Sequence, residues 1–279
     1  MIEFLIVIAV IWLIVASYSD LKKREVPNWL NFSLVAFALA YRAFYSAFTY
    51  NWMFFVYGLL GFGFFFLLAY AFYYARIFAG GDAKLLMGLG AILPFTSYLI
   101  TNSVIFGVFI FLLFAVGGVY GLIYSGVLVA LNKKNFFKEF KKQLRLRKYF
   151  VVVGFVFALI SLIFVLYEGE KILLLLSLII FAFPFLLIYG KSAEEACMIK
   201  LVKAKDVTVG DWLYEQVKVG KRKIKPNWEG LGEEEVKLLK KSRKKVKIKY
   251  GVPFVPAFLI AFILLVVLWY SSWSFFQLF

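Results

Sequence analysis

Eight apolar stretches, each close to the length of helix that a bilayer requires, run through this sequence and leave little freedom in what it can fold into. A hydrocarbon core about 30 Å thick is crossed by about 20 helical residues, with latitude for tilt. On that ruler the runs 2–19, 29–48, 52–77, 83–100, 103–131, 149–167, 172–190 and 252–270 are each expected to span. Composition agrees: with 63% hydrophobic residues, 21% aromatics and a mean hydropathy of +0.86, 279 residues carry too little polar surface to coat a soluble globule. The chain begins Met1-Ile2-Glu3-Phe4, acidic where a cleaved secretory signal is basic, so the first run is expected to be retained.

Orientation follows from the positive charge, because Lys and Arg near span ends stay cytoplasmic. With the first span running inward, 30 of the 32 basic residues fall on inner segments, and only Arg42 and Lys171 fall on outer halves or loops. The outer connections are then Tyr50-Asn51, a turn near Thr101-Asn102, and Tyr167-Glu168-Gly169-Glu170-Lys171. The expected fold is an all-α polytopic membrane protein of about eight transmembrane helices, both termini outside, with a small α+β cytoplasmic insert. Five helices and their motifs occupy 1–131, a basic cytoplasmic loop 132–148, two helices 149–190, the insert 191–250, and the last helix 251–279.

Histidine is absent and Cys197 is the single cysteine. Ser-His-Asp and Cys-His catalysis, His-ligated metals and Cys-x-x-Cys zinc sites are excluded by inventory, and neither a metal nor a cofactor is expected. Carboxylates remain, and of the four aspartates only Asp20 and Asp82 lie in the hydrophobic bulk. Asp20 closes a span running inward and Asp82 opens one running outward, so the topology brings both to the cytoplasmic interface. Two adjacent carboxylates cannot both ionise cheaply, and such a pair tends to share a proton. The ionised member can activate a water against a scissile carbonyl while the protonated member donates to the carbonyl oxygen. Gly80 and Gly81 are expected to give close approach and unusual dihedrals before Asp82, which could also cap its helix. After Asp20 a basic loop leads to Pro27 at a helix's first turn and to Asn28 and Trp29 at the interface.

These residues carry a resemblance. The aspartate closing the first span, followed by a basic loop and Val26-Pro27-Asn28 with Leu30, resembles the first motif of the type IV prepilin peptidase family. Gly81-Asp82 with Lys84 and Leu85 resembles the second, although Ala79 stands where the family has a Gly. Gly251-Val252-Pro253-Phe254-Val255-Pro256-Ala257 resembles the start of the family's last span. The long insert and the lack of paired cysteines are similar to the archaeal branch, the prepilin and preflagellin (archaellin) peptidases. The resemblance implies a membrane aspartyl endopeptidase in the cell membrane that removes a short basic leader from pilin-like or archaellin precursors at the cytoplasmic face. It places Asp20 and Asp82 as the catalytic pair, supported by Pro27, Asn28, Gly80, Gly81 and Lys84. Amino-terminal methylation and a cysteine site, found in bacterial relatives, are not supported here.

Other readings stand beside this one. An aspartate at a span end is by itself more often an anchor or a cap. Lys84 could act on a neighbouring aspartate or touch substrate, whereas snorkelling to the interface is the ordinary fate of such a lysine. Gly117-Gly118-Val119-Tyr120-Gly121 suits close helix packing. A proton or cation transporter using the two carboxylates, a presenilin-like protease cutting within the membrane, and an inactive assembly scaffold are the alternatives.

Two basic segments carry almost all of the net charge of +16. Residues 132–149 and 191–250 are expected to attract anionic lipid headgroups, at about 1 kcal/mol per basic residue near the surface. Nucleic-acid binding through Lys221-Arg222-Lys223 or Arg243-Lys244-Lys245 is not expected at that location. Within the insert, 206–213 and 217–219 alternate like short strands, and Glu233-Glu234-Glu235 leads into an apolar stretch ending in lysines, the charge order a helix dipole favours. Asp206 and Asp211 read as structural turn residues. The oligomeric state is open.

Overall fold

The structure, a computed structural model, describes residues 2–168, 171–220, 222–242 and 244–271. Gly169 and Glu170 of the expected outer loop, Lys221 and Arg243 of the basic triplets, and the two ends of the chain lie outside the described residues. The helices and strands run α1 (Ile2–Lys23), α2 (Asn28–Thr49), α3 (Trp52–Tyr74), α4 (Gly80–Gly90), α5 (Leu99–Leu131), α6 (Lys133–Leu146), α7 (Lys148–Glu168), α8 (Lys171–Ala193), β1 (Ile199–Lys203), β2 (Trp212–Leu213), β3 (Val217–Val219), β4 (Arg222–Ile224), α9 (Glu233–Lys241), β5 (Lys245–Lys249) and α10 (Val255–Ser271). They divide into two compact units, one made of 1–122 with 252–279 and one of 123–251.

Among the described residues five helices are long and apolar enough to cross a membrane, or six if the bent pair α6 and α7 is one crossing. This is a multi-pass membrane protein. The expected division into eight spans is not reproduced run for run. The run 83–100 is not one helix: α4 has 11 residues and ends at Gly90, which at 1.5 Å per residue is about half the hydrocarbon thickness. Residues 91–98 are turn and irregular backbone, and the turn expected at Thr101-Asn102 falls here instead. Asn102, already inside α5, clasps that loop: its Oδ1 accepts from Thr96 N–H at 3.1 Å and its Nδ2 donates to Thr96 O at 2.9 Å.

Irregular backbone at membrane depth is tolerated only where its polar groups find partners inside the protein. Arg42 of α2 supplies them. Fully buried, its guanidinium donates to the carbonyls of Ala91 (2.8 Å), Ile92 (3.0 Å) and Pro94 (2.7 Å) just beyond α4, and to Phe54 O (2.8 Å) in α3. A cation at the carboxyl end of a helix also suits the helix dipole. Phe54 lies against the same guanidinium, its ring centroid 4.4 Å away.

The first unit packs α4 between α2 and α3, with α1 against α10. Leu5, Leu13, Phe65, Phe109, Phe258 and Phe262 are fully buried in its core. Outward-facing positions such as Ile11, Ile14, Leu60 and Leu67 remain exposed apolar surface, as lipid-facing sides of spanning helices must. With no glycine available, α1, α2 and α3 are each closed by a left-handed non-glycine residue, Arg24, Tyr50 and Arg76.

Glycine lets α3 and α4 touch backbone to backbone. A Cβ at Gly61 would overlap Gly90 O, and one at Gly90 would lie 2.7 Å from Gly61 O. Gly63, two residues along α3, faces open space. Gly61→Leu is therefore expected to destabilise the unit by about 1–3 kcal/mol, read as a lower thermal midpoint of the full chain in detergent, while Gly63→Leu leaves the midpoint unchanged. The packing expected of the 117–121 glycines is found at Gly117, where a Cβ would overlap the Phe254 ring; Gly118 and Gly121 face open space.

In the second unit α7 packs on α8, where Pro184 of α8 occupies the space left by Gly154. A short π-helical segment, Glu194–Met198, leads into an antiparallel sheet of order β1-β5-β2, and β3 and β4 form a separate hairpin. Ala204, Val207, Leu213, Leu231, Val236, Leu239, Val246 and Ile248 form its small core with α9. The helix expected after Gly232 is present, acids in its first turn and lysines in its last. The strand expected over 206–213 shrinks to β2, because Ala204–Asp206 is a 3₁₀ turn and Asp211 Oδ2 accepts from Thr208 N–H at 2.8 Å, closing a turn.

Candidate active site

Asp20 lies one turn before the end of α1 and is buried, 6% exposed. Its Oδ2 accepts from the N–H of Val255 at 2.9 Å, the first residue of α10, so a carboxylate at one end of the sequence satisfies an orphan donor of a helix 235 residues away. Arg24, in left-handed conformation, donates its N–H to Asp20 O at 2.8 Å and turns the chain out of α1 toward Val26 and Pro27. Pro27 stands at the N-cap of α2 rather than in its first turn, and its carbonyl accepts from Leu30 N–H at 3.0 Å.

Asp82 lies in the first turn of α4 and is half-buried. It stands at the third helical position, where a carboxylate suits the positive end of the helix dipole.

The two motif segments interlock around these carboxylates. Lys84 Nζ donates to Asn28 Oδ1 at 2.8 Å, which joins the second motif to the first and orients the lysine toward the asparagine. Asn31 Nδ2 donates to Gly81 O at 3.4 Å, and Val26 packs over Gly81. Of the residues singled out in the sequence, Lys84 and Asn28 thus meet directly, and Gly81 is reached by Val26 and Asn31, which joins the loop between α1 and α2 to the first turn of α4. Gly80 meets none of them: a Cβ there would lie 3.7 Å from the Tyr73 ring.

The unusual dihedrals expected at Gly80 and Gly81 are absent. Neither has positive φ, because both already belong to α4, and a Cβ at Gly81 would rest at an ordinary 3.5 Å from Val26. Gly81→Ala is expected to change activity by no more than about twofold, since it adds one methyl at van der Waals distance. Gly81→Leu would drive the side chain into Val26 and displace the loop carrying Pro27 and Asn28, at a cost of about 1–3 kcal/mol. Comparing turnover of the two variants on one precursor separates size from the mere loss of glycine.

Sequence reasoning missed Asn31 and the backbone of Val255. Asn31 is fully buried, and among the described residues its Oδ1 has no hydrogen-bond partner. An amide three residues into an apolar run, one turn beyond Asn28, was the available signal. For Val255 the hint was the resemblance of 251–257 to the start of a last span, which did not say what that segment touches.

Comparison with known proteins follows the same residues. Residues 7–131 match the type IV leader peptidase family. Both aspartates and all five of their predicted supporting residues lie inside the matched segment. The preflagellin peptidase of Methanocaldococcus jannaschii is 35% identical over 88 residues, which is 32% of this chain and 37% of that relative. The preflagellin peptidase of Methanococcus voltae is 30% identical over 96 residues, 34% of this chain and 41% of the relative. That of Methanococcus maripaludis is 32% identical over 94 residues, 34% of this chain and 40% of the relative. The chain thus aligns with about two-fifths of the length of these relatives. The resemblance to the leader peptidases and to their archaeal branch is borne out for the segment that carries both motifs. Val255, which donates to Asp20, lies beyond the leader-peptidase match.

Proposed function

We propose that this protein is an aspartyl endopeptidase of the cell membrane that removes a short basic leader from pilin-like or archaellin precursors at the cytoplasmic face. The observation that supports the proposal is the tie between the two leader-peptidase-like motif segments, each bearing one aspartate: Lys84 of the second donates to Asn28 of the first at 2.8 Å. In this reading the pair shares one proton. The ionised carboxylate takes a proton from a water as its oxygen attacks the scissile carbonyl carbon, and the protonated carboxyl donates to the carbonyl oxygen. Collapse of the tetrahedral intermediate breaks the C–N bond, and a proton passes to the leaving nitrogen.

The helical unit of 1–122 with 252–279 carries this chemistry, and residues 191–250 form an accessory domain on the cytoplasmic side. Lys84, Asn28, Pro27 and Gly81 hold the approach to the pair, and Asn31 fixes the Gly81 carbonyl. The substrate's hydrophobic segment remains in the bilayer while its leader reaches the aspartates from the cytoplasm.

Detergent-solubilised full chain mixed with precursor peptides, with the cut located by mass, tests the reading. A single cut between the basic leader and the hydrophobic segment is expected. A cut inside the hydrophobic segment would assign a presenilin-like protease, and carboxylate-dependent proton or cation flux in vesicles without any cut would assign a transporter.

A further inference from the structure

We propose that α6 is a membrane-surface helix that binds anionic phospholipid headgroups along one basic stripe, independently of the peptidase reading. α6 follows the membrane-length helix α5 and meets the apolar helix α7 at a bend of 72°. In this proposal α7 enters the bilayer, and a helix turned 72° from it lies close to the membrane plane.

The residues of α6 are sorted for that position. Lys134, Lys138, Lys141, Lys142 and Arg145 recur at helical spacing on one side and are all exposed. Lys138, Lys141, Lys142, Arg145 and Leu146 line an open cleft. On the adjoining side Phe136 is buried and packs on the Tyr189 ring of α8, while Phe137, 57% exposed, stays uncovered. Going round the helix, the order is a face packed on α8, an open aromatic strip, then the basic stripe. An interfacial helix has this arrangement: apolar groups at the acyl boundary and flanking cations reaching phosphates.

The local acid does not neutralise the stripe. Glu139 is bound by Lys142 at 3.0 Å and by Gln143 Nε2 at 2.8 Å and also draws on Lys138, so a single acid faces the five cations of the stripe within α6. Four cations around one cleft, beside an exposed Phe at membrane depth, match a phosphodiester headgroup whose acyl chains stay in the bilayer. Orientation of the chain during insertion needs only the number of positive charges; it does not need them gathered on one side of an amphipathic helix.

The test uses the purified full chain in neutral detergent, with phosphatidylglycerol or phosphatidylcholine added and bound lipid measured by native mass spectrometry. Preferential retention of phosphatidylglycerol is expected, falling as salt rises because exposed charges are screened. The triple variant Lys138→Gln, Lys141→Gln, Arg145→Gln is expected to weaken that retention by about tenfold or more. A control with the same charge loss on α9, Lys237→Gln, Lys240→Gln, Lys241→Gln, is expected to keep it. Wild-type affinity in the α6 triple, or equal loss in the α9 control, would overturn the proposal. Should the triple not be recovered folded, the replacement of all three by the other basic residue type (Lys138→Arg, Lys141→Arg, Arg145→Lys) must retain binding, and salt-insensitive binding by wild type would count against the stripe. Competition by soluble glycerol phosphate at the lipid's own concentration would assign the cleft to free phosphate and defeat the lipid assignment.

Discussion

Asp20→Asn and Asp82→Asn are each expected to lower the proposed leader removal by about 10²- to 10⁴-fold, with the full chain still folded. Asparagine is isosteric and, at position 20, keeps an oxygen for the N–H of Val255. The thermal midpoint is therefore expected to move little, and it is measured beside turnover. Asp20→Ala removes the acceptor as well and is expected to lower the midpoint too, since it strands a buried N–H at a cost of about 1–3 kcal/mol. The double Asn variant is the sharper measurement. Groups that act as one catalytic unit are strongly non-additive, so Asp20→Asn with Asp82→Asn is expected to be no slower than the worse single variant. Multiplying losses would mean that the carboxylates act separately, and full turnover by either folded single variant would remove that aspartate from the chemistry.

Arg42→Met produces the largest loss of stability expected of any single substitution in the first unit. It preserves much of the apolar stem but leaves the carbonyls of Phe54, Ala91, Ile92 and Pro94 without their donor in a region water does not reach easily. Each stranded buried group costs about 1–3 kcal/mol. Relaxation recovers part of that, so the net loss is about 3–5 kcal/mol, read as a lower unfolding midpoint of the full chain in detergent. Arg42→Lys should recover only a fraction, because one ammonium cannot serve four acceptors laid out for a planar fork. Turnover follows the same order, since the helix whose far end Arg42 holds carries Asp82 in its first turn. A midpoint unchanged in Arg42→Met would show that other groups satisfy those carbonyls.

Arg42 also explains where the sequence was legible and where it was not. The runs behind α1, α2, α3, α5, α7 and α8 were read to within a few residues, because membrane depth demands unbroken apolar length and polar breaks end it. The run 83–100 satisfied the same criterion and was read as a span, since Ala91-Ile92-Leu93-Pro94-Phe95 is as apolar as any helix here. Hydropathy records the side chains of that segment and says nothing about who satisfies its backbone. The clues were Pro94, the solitary Arg42 inside another apolar run, and Gly58 and Gly61 on α3. A Cβ at Gly58 would overlap the Arg42 side chain.

The site was legible in its chemistry and only partly in its mechanics. Topology alone suggested that Asp20 and Asp82 share a face, and the motif resemblance named Pro27, Asn28, Gly81 and Lys84. The Lys84 to Asn28 bond and the Asn31 to Gly81 bond were not legible, because contacts across more than 50 residues leave no periodic trace in one sequence. Gly80 and Gly81 misled because glycine suggests strained backbone, whereas here both sit in ordinary helix.

The bond from Val255 to Asp20 carries a consequence for how the protein comes to life. The donor emerges from the ribosome more than two hundred residues after its acceptor, with the small sheet of β1, β5 and β2 translated in between. Until α10 is made, the Asp20 carboxylate lacks the N–H that it accepts in the finished fold. The bond is therefore a late event of biosynthesis, possible only once residue 255 has been made.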